Sequence, residues 1–275
     1  MTVKLVQKFV RRMLLNAEYE ELHRSPDMPI WLENFTNLAQ AYEQRLNESN
    51  GLIPPNERRP KLLARLLGTP PSEAYFIVQA LAQCNDLDGD VCEFGVAQGE
   101  TSALIANEIA HTNHKIFHLF DSFQGLPKPS SKDTLIHDIF SLGTMDAYAG
   151  KMVCPEDLVL ARLEEIAFPG DRFVIHKGFF ADLLKSDQNL PQKVSFAYVD
   201  FDLYEPIQQV LEFLHPITPV GAILVVDDYG FFSTGAKTAV DEFVTAHHSN
   251  SIYYDCFVPH SQYGHFAVLT KKETH

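Results

Sequence analysis

Short, unbroken apolar runs that stop in acidic residues mark the second half of the chain. The clearest pair lies within residues 195–230, which open S-F-A-Y-V-D-F-D-L-Y-E-P and close G-A-I-L-V-V-D-D-Y-G. Such runs predict strands buried on both faces. Between them, residues 204–215 have the spacing of a helix with one apolar face. Strand, helix, strand is the pattern of a right-handed parallel crossover. Both strands then point the same way, and Asp200, Asp202, Asp227 and Asp228 gather at one rim of the sheet. Open α/β folds bind ligands at that rim.

The same alternation is readable upstream. Strands are expected at 91–96, 115–120 and 172–177, and helices at 73–83, 101–110, 155–167 and 179–185. Thr69 or Ser72 is the expected cap of the 73–83 helix. After Asp228 come a helix at 235–247 and two strands, 251–258 and 265–271, joined near Pro259 and Gly264 as a hairpin. The fold class is therefore α/β: a doubly wound, mostly parallel seven-stranded sheet with a terminal antiparallel hairpin, plus N-terminal helices. Residues 124–150 form a long connection with Pro127, Pro129, Gly143 and Gly150, which suggests a lid or substrate loop. A short helix is expected within it, at 134–142. Residues 1–50 read as mostly helical with a break at Pro26 and Pro29, followed by loop signals at Asn50-Gly51 and Pro54-Pro55 and a helical turn at 61–67. The chain divides into a helical N-terminal extension, 1–70, and a main domain, 71–275.

Composition narrows the function. Of 275 residues, 45% are hydrophobic, enough for a sizeable core, and the net charge is −14. Such a surface argues against nucleic acid or an anionic membrane as partner. The first 20 residues carry Lys4, Lys8, Arg11 and Arg12 among apolar ones. That stretch is no secretory signal and is too short and charged to span a bilayer, so no stable membrane insertion is expected. Cys84, Cys92, Cys154 and Cys256 are scattered without metal-ligand or CxxC spacing, as expected of reduced thiols in a cytoplasmic protein.

Four close carboxylates repel one another unless a cation joins them. An all-oxygen set suits Mg²⁺, Ca²⁺ or Mn²⁺. Asp200 and Asp202 share a face if their strand persists, whereas Asp227 and Asp228 need a bend to act together. The alternatives are solvated strand-end acids or, for Asp202, a cap on the helix from Tyr204. Upstream, Glu93-Phe-Gly95-Val96-Ala-Gln-Gly99 is strand, glycine turn, helix, with GxxxG spacing rather than the GxGxxG of dinucleotide folds. Its glycines admit close backbone approach, and the helix start near Thr101 favours an anionic group. Asp121 ends the next strand, where nucleotide-binding α/β folds place a ribose-binding acid. A plain tight turn and a turn-capping acid are the alternatives. Taken together, turn, ribose acid and acid cluster suggest an adenosine-containing cofactor without a required pyrophosphate.

Four stretches carry a resemblance: E-F-G-V-x-x-G-x-T-S, D-S-F-Q-G-L-P-K-P, V-D-F-D-L-Y-E-P and V-G-A-I-L-V-V-D-D-Y-G. From about residue 69 to the C-terminus the chain resembles the macrocin O-methyltransferase family. The resemblance implies a class I, Rossmann-like methyltransferase that uses S-adenosylmethionine and Mg²⁺ or another divalent cation to methylate a sugar hydroxyl in natural-product biosynthesis. By position it implies a cofactor site at Glu93, Gly95, Val96, Gly99, Thr101, Ser102, Asp121, Ser122, Phe123, Gly178 and Phe179. It also implies metal ligands Asp200, Asp227 and Asp228, and Asp202 as general base. Thr69 and Ser72 correspond to a segment near the cofactor's amino-acid end. Phe201 departs from the family, where a small residue or cysteine is usual. A small-molecule, sugar-bearing acceptor and a homo-oligomer are further implications. Rival expectations are a metal-dependent hydroxylase or other nucleotide-using enzyme on this scaffold, and a non-catalytic S-adenosylmethionine-binding module. Of the histidines, His111, His114, His118, His247 and His248 read as structural, while His137, His260 and His265 are candidates to approach the acceptor.

Overall fold

The structure, a computed structural model, describes residue 53 and residues 56–274 apart from 113, 187, 188 and 249. The helices expected within 1–50 and the charged N-terminal stretch lie outside the described residues. The sheet's seven strands are β1 (Asp90–Phe94), β2 (Phe117–Asp121), β3 (Phe173–Lys177), β4 (Val194–Val199), β5 (Ile223–Val226), β6 (Ile252–Phe257) and β7 (Ala267–Glu273). Their order is β3-β2-β1-β4-β5-β7-β6. All neighbours pair in parallel except that β7 runs antiparallel to both β5 and β6. The helices are α1 (Arg59–Leu63), α2 (Pro71–Gln83), α3 (Glu100–Ile109), α4 (Glu156–Glu165), α5 (Phe180–Ser186), α6 (Tyr204–Ile217) and α7 (Thr234–His247). None of the described helices is long and apolar enough to cross a membrane.

Strand parity explains why the central runs are apolar throughout. Val91, Leu119, Phe196, Tyr198 and Val225 face one layer with Leu62, Ile77, Leu104 and Leu163 of α1 to α4. Their neighbours Cys92, Phe120, Ala197, Val199 and Leu224 face a second layer with Phe180, Ile207, Leu211, Val240 and Phe243 of α5 to α7. With both faces covered, nearly every position of β1, β2, β4 and β5 is a core position. Each buried aromatic contributes about 2–3 kcal/mol. The Phe94 and Phe120 rings stack 4.5 Å apart beneath the acid rim.

Chain direction sets the site. From β1 the chain moves outward through β2 to β3, then returns to β4 on the other side of β1 and continues to β5. The two crossovers leave the sheet on opposite sides at the carboxyl ends of β1 and β4, and the crevice between them is where ligands bind in such sheets.

Two local expectations fail. Residues 134–142 form no helix. Leu135 instead pairs with Ser233 in an isolated bridge, and Asp138 turns back to accept the amides of Leu142 and Gly143. The loop's only described helical turn is a 3₁₀ turn at Met145–Tyr148. Neither Thr69 nor Ser72 caps α2. Pro70 holds the cap position without a side-chain bond, and Pro71 occupies the first turn, where a missing N–H costs nothing.

Candidate active site

Between the ends of β1 and β4 lies a cleft of about 430 Å³. At one end, Gly95 leaves β1 with φ +90°, and a Cβ there would lie 1.8 Å from the Asp200 carbonyl oxygen. Only glycine allows the turn to touch the end of β4. Asp121 fastens the same turn: its Oδ2 accepts the amides of Val96 at 2.9 Å and Ala97 at 3.1 Å, and its Oδ1 accepts the Phe123 amide at 2.7 Å. Gly95, Asp121, Ser122, Gly178 and Phe179 all line the cleft, with Gln98 and Cys154 beside them. Glu93 is buried behind the turn, and burial pushes its carboxyl well above the ordinary carboxylate range. Gly99, Thr101 and Ser102 begin α3. Thr69 Oγ1 lies 2.9 Å from Thr101 Oγ1 and 3.3 Å from the Tyr198 hydroxyl. Val96, Gly99, Thr101, Ser102 and Phe123 are next to the lining rather than part of it.

At the other end are the acids. Asp200, Asp202, Asp227 and Asp228 all line the cleft, and carboxylate oxygens of Asp200, Asp202 and Asp228 lie within 4.8 Å of one another. The expected sharing of a strand face is not what joins Asp200 to Asp202, because β4 ends at Val199. A turn does it: Asp202 has φ +60° and Asp228 φ +56°. Each such conformation costs a non-glycine residue about 1–3 kcal/mol and is typical of ligand sites. Asp202 does not cap α6 either. The Tyr204 amide donates to Asp133 Oδ1, 2.8 Å away.

Asp227 is fixed differently. Its Oδ2 accepts the Tyr198 hydroxyl at 2.8 Å, and its Oδ1 accepts the Asp228 amide at 2.7 Å. Behind it sits Glu73, fully buried, its carboxyl against that of Asp227. Desolvation is the first cause raising the carboxyls of Asp200, Asp202, Asp227, Asp228 and Glu73 above the ordinary range. Repulsion follows: Asp227 and Asp228 act on Asp200, Asp200 on Asp202, and Asp202 on Asp228. No described lysine or arginine lines the cleft. Crowded carboxylate oxygens without a cationic side chain fit a hard divalent cation.

The remaining wall is apolar: Leu126, Pro127, Ile139 and Phe140 come from the long loop, Met152 follows it, and Phe231 follows β5. His137 and His265 each pack on the Phe231 ring, with centroids 4.8 Å away. His260 instead caps the 3₁₀ turn Ser261–Tyr263. His118 is buried and bonded to His176 and Asp90, a structural setting. Phe201 lines the cleft and also packs on Phe94 and Phe180, so its bulk is taken up by the aromatic cluster under the sheet. Three cysteines are buried and free, and only Cys256 is exposed. Burial pushes the Cys154 thiol up to about 12.

Sequence reasoning passed over Tyr198, Glu73 and Asp133. Tyr198 was findable, being two residues before Asp200 in a strand whose other polar side chain is Ser195 at its far end. Nothing local marks the other two.

Residues 8–253 match the macrocin-O-methyltransferase (TylF) family. The 8-demethyl-8-(2,3-dimethoxy-alpha-L-rhamnosyl)-tetracenomycin-C 4'-O-methyltransferase of Streptomyces olivaceus is 27% identical over 158 residues, 56% of this chain and 58% of that protein. The match thus spans little more than half of that relative's length. Among solved structures, the O-methyltransferase NovP aligns with a TM-score of 0.61 at 20% identity, over 74% of this chain and 81% of NovP. The calicheamicin methyltransferase CalS11 gives 0.56 at 23% identity, over 84% and 91%. An O-methyltransferase from Bacillus cereus in complex with SAH gives 0.52 at 14% identity, over 85% and 97%. These likenesses bear out the expected class I methyltransferase fold. The family match extends across most of the sequence, and on it the chain belongs to the macrocin O-methyltransferase family.

Proposed function

We propose that this chain transfers a methyl group from S-adenosylmethionine to a hydroxyl of a sugar-bearing small molecule, with Mg²⁺ or a similar cation at its acid cluster. One observation carries the reading: the oxygens of Asp200, Asp202 and Asp228 converge within 4.8 Å in the same cleft as the glycine turn pinned by Asp121. The named substrate of the Streptomyces olivaceus relative, a rhamnosyl tetracenomycin, supports a glycosidic acceptor.

In the reaction the methyl carbon leaves the sulfonium as its bond to an acceptor oxygen forms, S-adenosylhomocysteine departs, and the hydroxyl proton must go to a base. The β1 turn, Asp121 and the Gly178-Phe179 pair hold the cofactor. Asp200 and Asp228 of the converging set, with Asp227 beside them, would hold the cation, whose chemistry when bound would be to lower the pKa of a nearby hydroxyl. Asp202 receives the proton. The apolar wall from Leu126 to Phe140 excludes water and orients the acceptor. Orientation of two reactants is itself a large part of such a rate enhancement. The chain acts as a homo-oligomer, which sedimentation would test.

Calorimetry with S-adenosylhomocysteine, with and without Mg²⁺, tests the cofactor, and a methyl-transfer screen over sugar-bearing acceptors tests the reaction. No binding of S-adenosylhomocysteine would sink the proposal. Binding without turnover on any acceptor would favour a non-catalytic module.

A further inference from the structure

We propose that Asp133, in the long loop flanking the cleft, is a positioning residue for Asp202. It takes over the capping of α6, and so leaves the Asp202 carboxylate free to join Asp200 and Asp228. The role in turnover rests on the methyltransferase reading above, whereas the clamp itself is a matter of geometry.

An aspartate just before a helix ordinarily folds back onto the free N–H groups of the first turn. Asp202 lies one residue before the cap position, since α6 starts at Tyr204. Here Leu203, which has no polar side chain, holds the cap position, and Asp133 Oδ1 accepts the Tyr204 amide across 71 residues of sequence. Asp133 is buried, 7% exposed. Its other oxygen accepts both the amide and the hydroxyl of Ser130, at 2.8 and 2.7 Å. The carboxylate is thus aimed and held.

A second arm grips Asp202 directly. The Ser233 hydroxyl, at the start of α7, donates to the Asp202 carbonyl oxygen at 3.1 Å, and the Leu203 amide closes on Phe201 O at 2.6 Å. Asp202 is thereby kept at φ +60°. Position 235 shows how closely the pieces fit. A Cβ there would lie 1.9 Å from Asp133 Oδ1 and 2.6 Å from the Tyr204 amide nitrogen. Lys132 bonds Tyr204 and Glu242 alongside, which ties the same loop to α6 and α7. The 124–150 loop, the start of α6 and the start of α7 therefore meet at one point, and Asp202 is set by that meeting.

Asp133→Ala should lower kcat about 100-fold, the scale for displacing a reacting group by roughly 1 Å, while binding of S-adenosylhomocysteine stays within twofold of the parent. Asp133→Asn keeps an oxygen for the Tyr204 amide and should recover most of kcat. Ser130→Ala loosens only the loop side of the same carboxylate and should stay near the parent rate. A crystal structure of Asp133→Ala should show the Asp202 carboxylate turned onto the first turn of α6. Asp202 unmoved in that structure, or an unchanged kcat, overturns the proposal. If the parent methylates no sugar acceptor, the functional reading fails and the crystal structure still decides the clamp. If Asp133→Ala does not fold, Ser233→Ala tests the other arm: the same split between kcat and cofactor binding is expected, and a parental kcat overturns the clamp.

Discussion

The Tyr198 hydroxyl donates to Asp227 Oδ2 at 2.8 Å and lies 3.3 Å from Thr69 Oγ1, which in turn meets Thr101 at the start of α3. One line of hydroxyls therefore connects the start of α3 to the acid end of the cleft. Tyr198→Phe leaves Asp227 with an oxygen that has lost its donor, at a cost of about 1–3 kcal/mol. A fall of several degrees in Tm is expected in the metal-free protein, with part of it restored by Mn²⁺. Equal melting temperatures for the two proteins would show that the bond contributes nothing.

The acid cluster makes stability fall as pH rises. Asp200, Asp202, Asp227, Asp228 and Glu73 all hold protons more tightly folded than unfolded. Where the native state binds more protons, the slope of unfolding free energy against pH is negative. The contribution is complete below the unfolded carboxylate value of about 4 and is lost as pH climbs through the raised folded values. Asp138 and Glu165 shift the other way, through Tyr148 and Arg65, and act at the acid end of the range. With a chelator present, Tm should drop between pH 5 and pH 8, and saturating Mg²⁺ should flatten that drop. A chelated protein that gains stability over this range would remove the repulsion account.

Asp202 and Asp227 should separate when neutralised one at a time. Asp202→Asn removes the proposed base, so turnover should fall at least about 10³-fold, within the range that general bases contribute, with Mn²⁺ binding retained. Asp227→Asn should weaken Mn²⁺ binding instead. Electron paramagnetic resonance titration distinguishes the two. If Asp202→Asn loses Mn²⁺ as well, Asp202 is a ligand, as its place beside Asp200 and Asp228 also allows.

The sequence made the sheet and its acid rim readable because both rest on local signals. Apolar runs such as 196–199 and 223–226, short and ended by acids, read as buried strands, and those acids fall where the sheet ends. What escaped was long-range. Asp133 finds its partner 71 residues away, and Glu73 reaches the cluster from the first turn of α2 without any pattern around it. The failed helix at 134–142 has a similar cause. Its apolar residues, Leu135, Phe140 and Leu142, pack with the core of Leu126, Tyr148, Leu203 and Phe232, and Tyr148 donates to Asp138 at 2.6 Å. Tertiary contacts overrode a weak helical preference.

In the proposed function Asp121 serves the cofactor in two ways. Three backbone amides already converge on its carboxylate: Val96, Ala97 and Phe123. Any ribose hydroxyl must therefore use the lone pairs that are left. The same residue thus shapes the glycine turn and forms part of the cleft lining. Asp121→Asn replaces one acceptor oxygen with a donor, so either the two turn amides or the Phe123 amide loses its partner. Affinity for S-adenosylhomocysteine should fall about 10- to 100-fold, the equivalent of one or two charged hydrogen bonds. Asp121→Ala should lose more, with a lower Tm besides, because all three amides are then stranded. Calorimetry on both variants checks the order. Equal losses in the two would mean that the carboxylate serves the ribose alone, and unchanged binding in Asp121→Asn would confine its role to the turn.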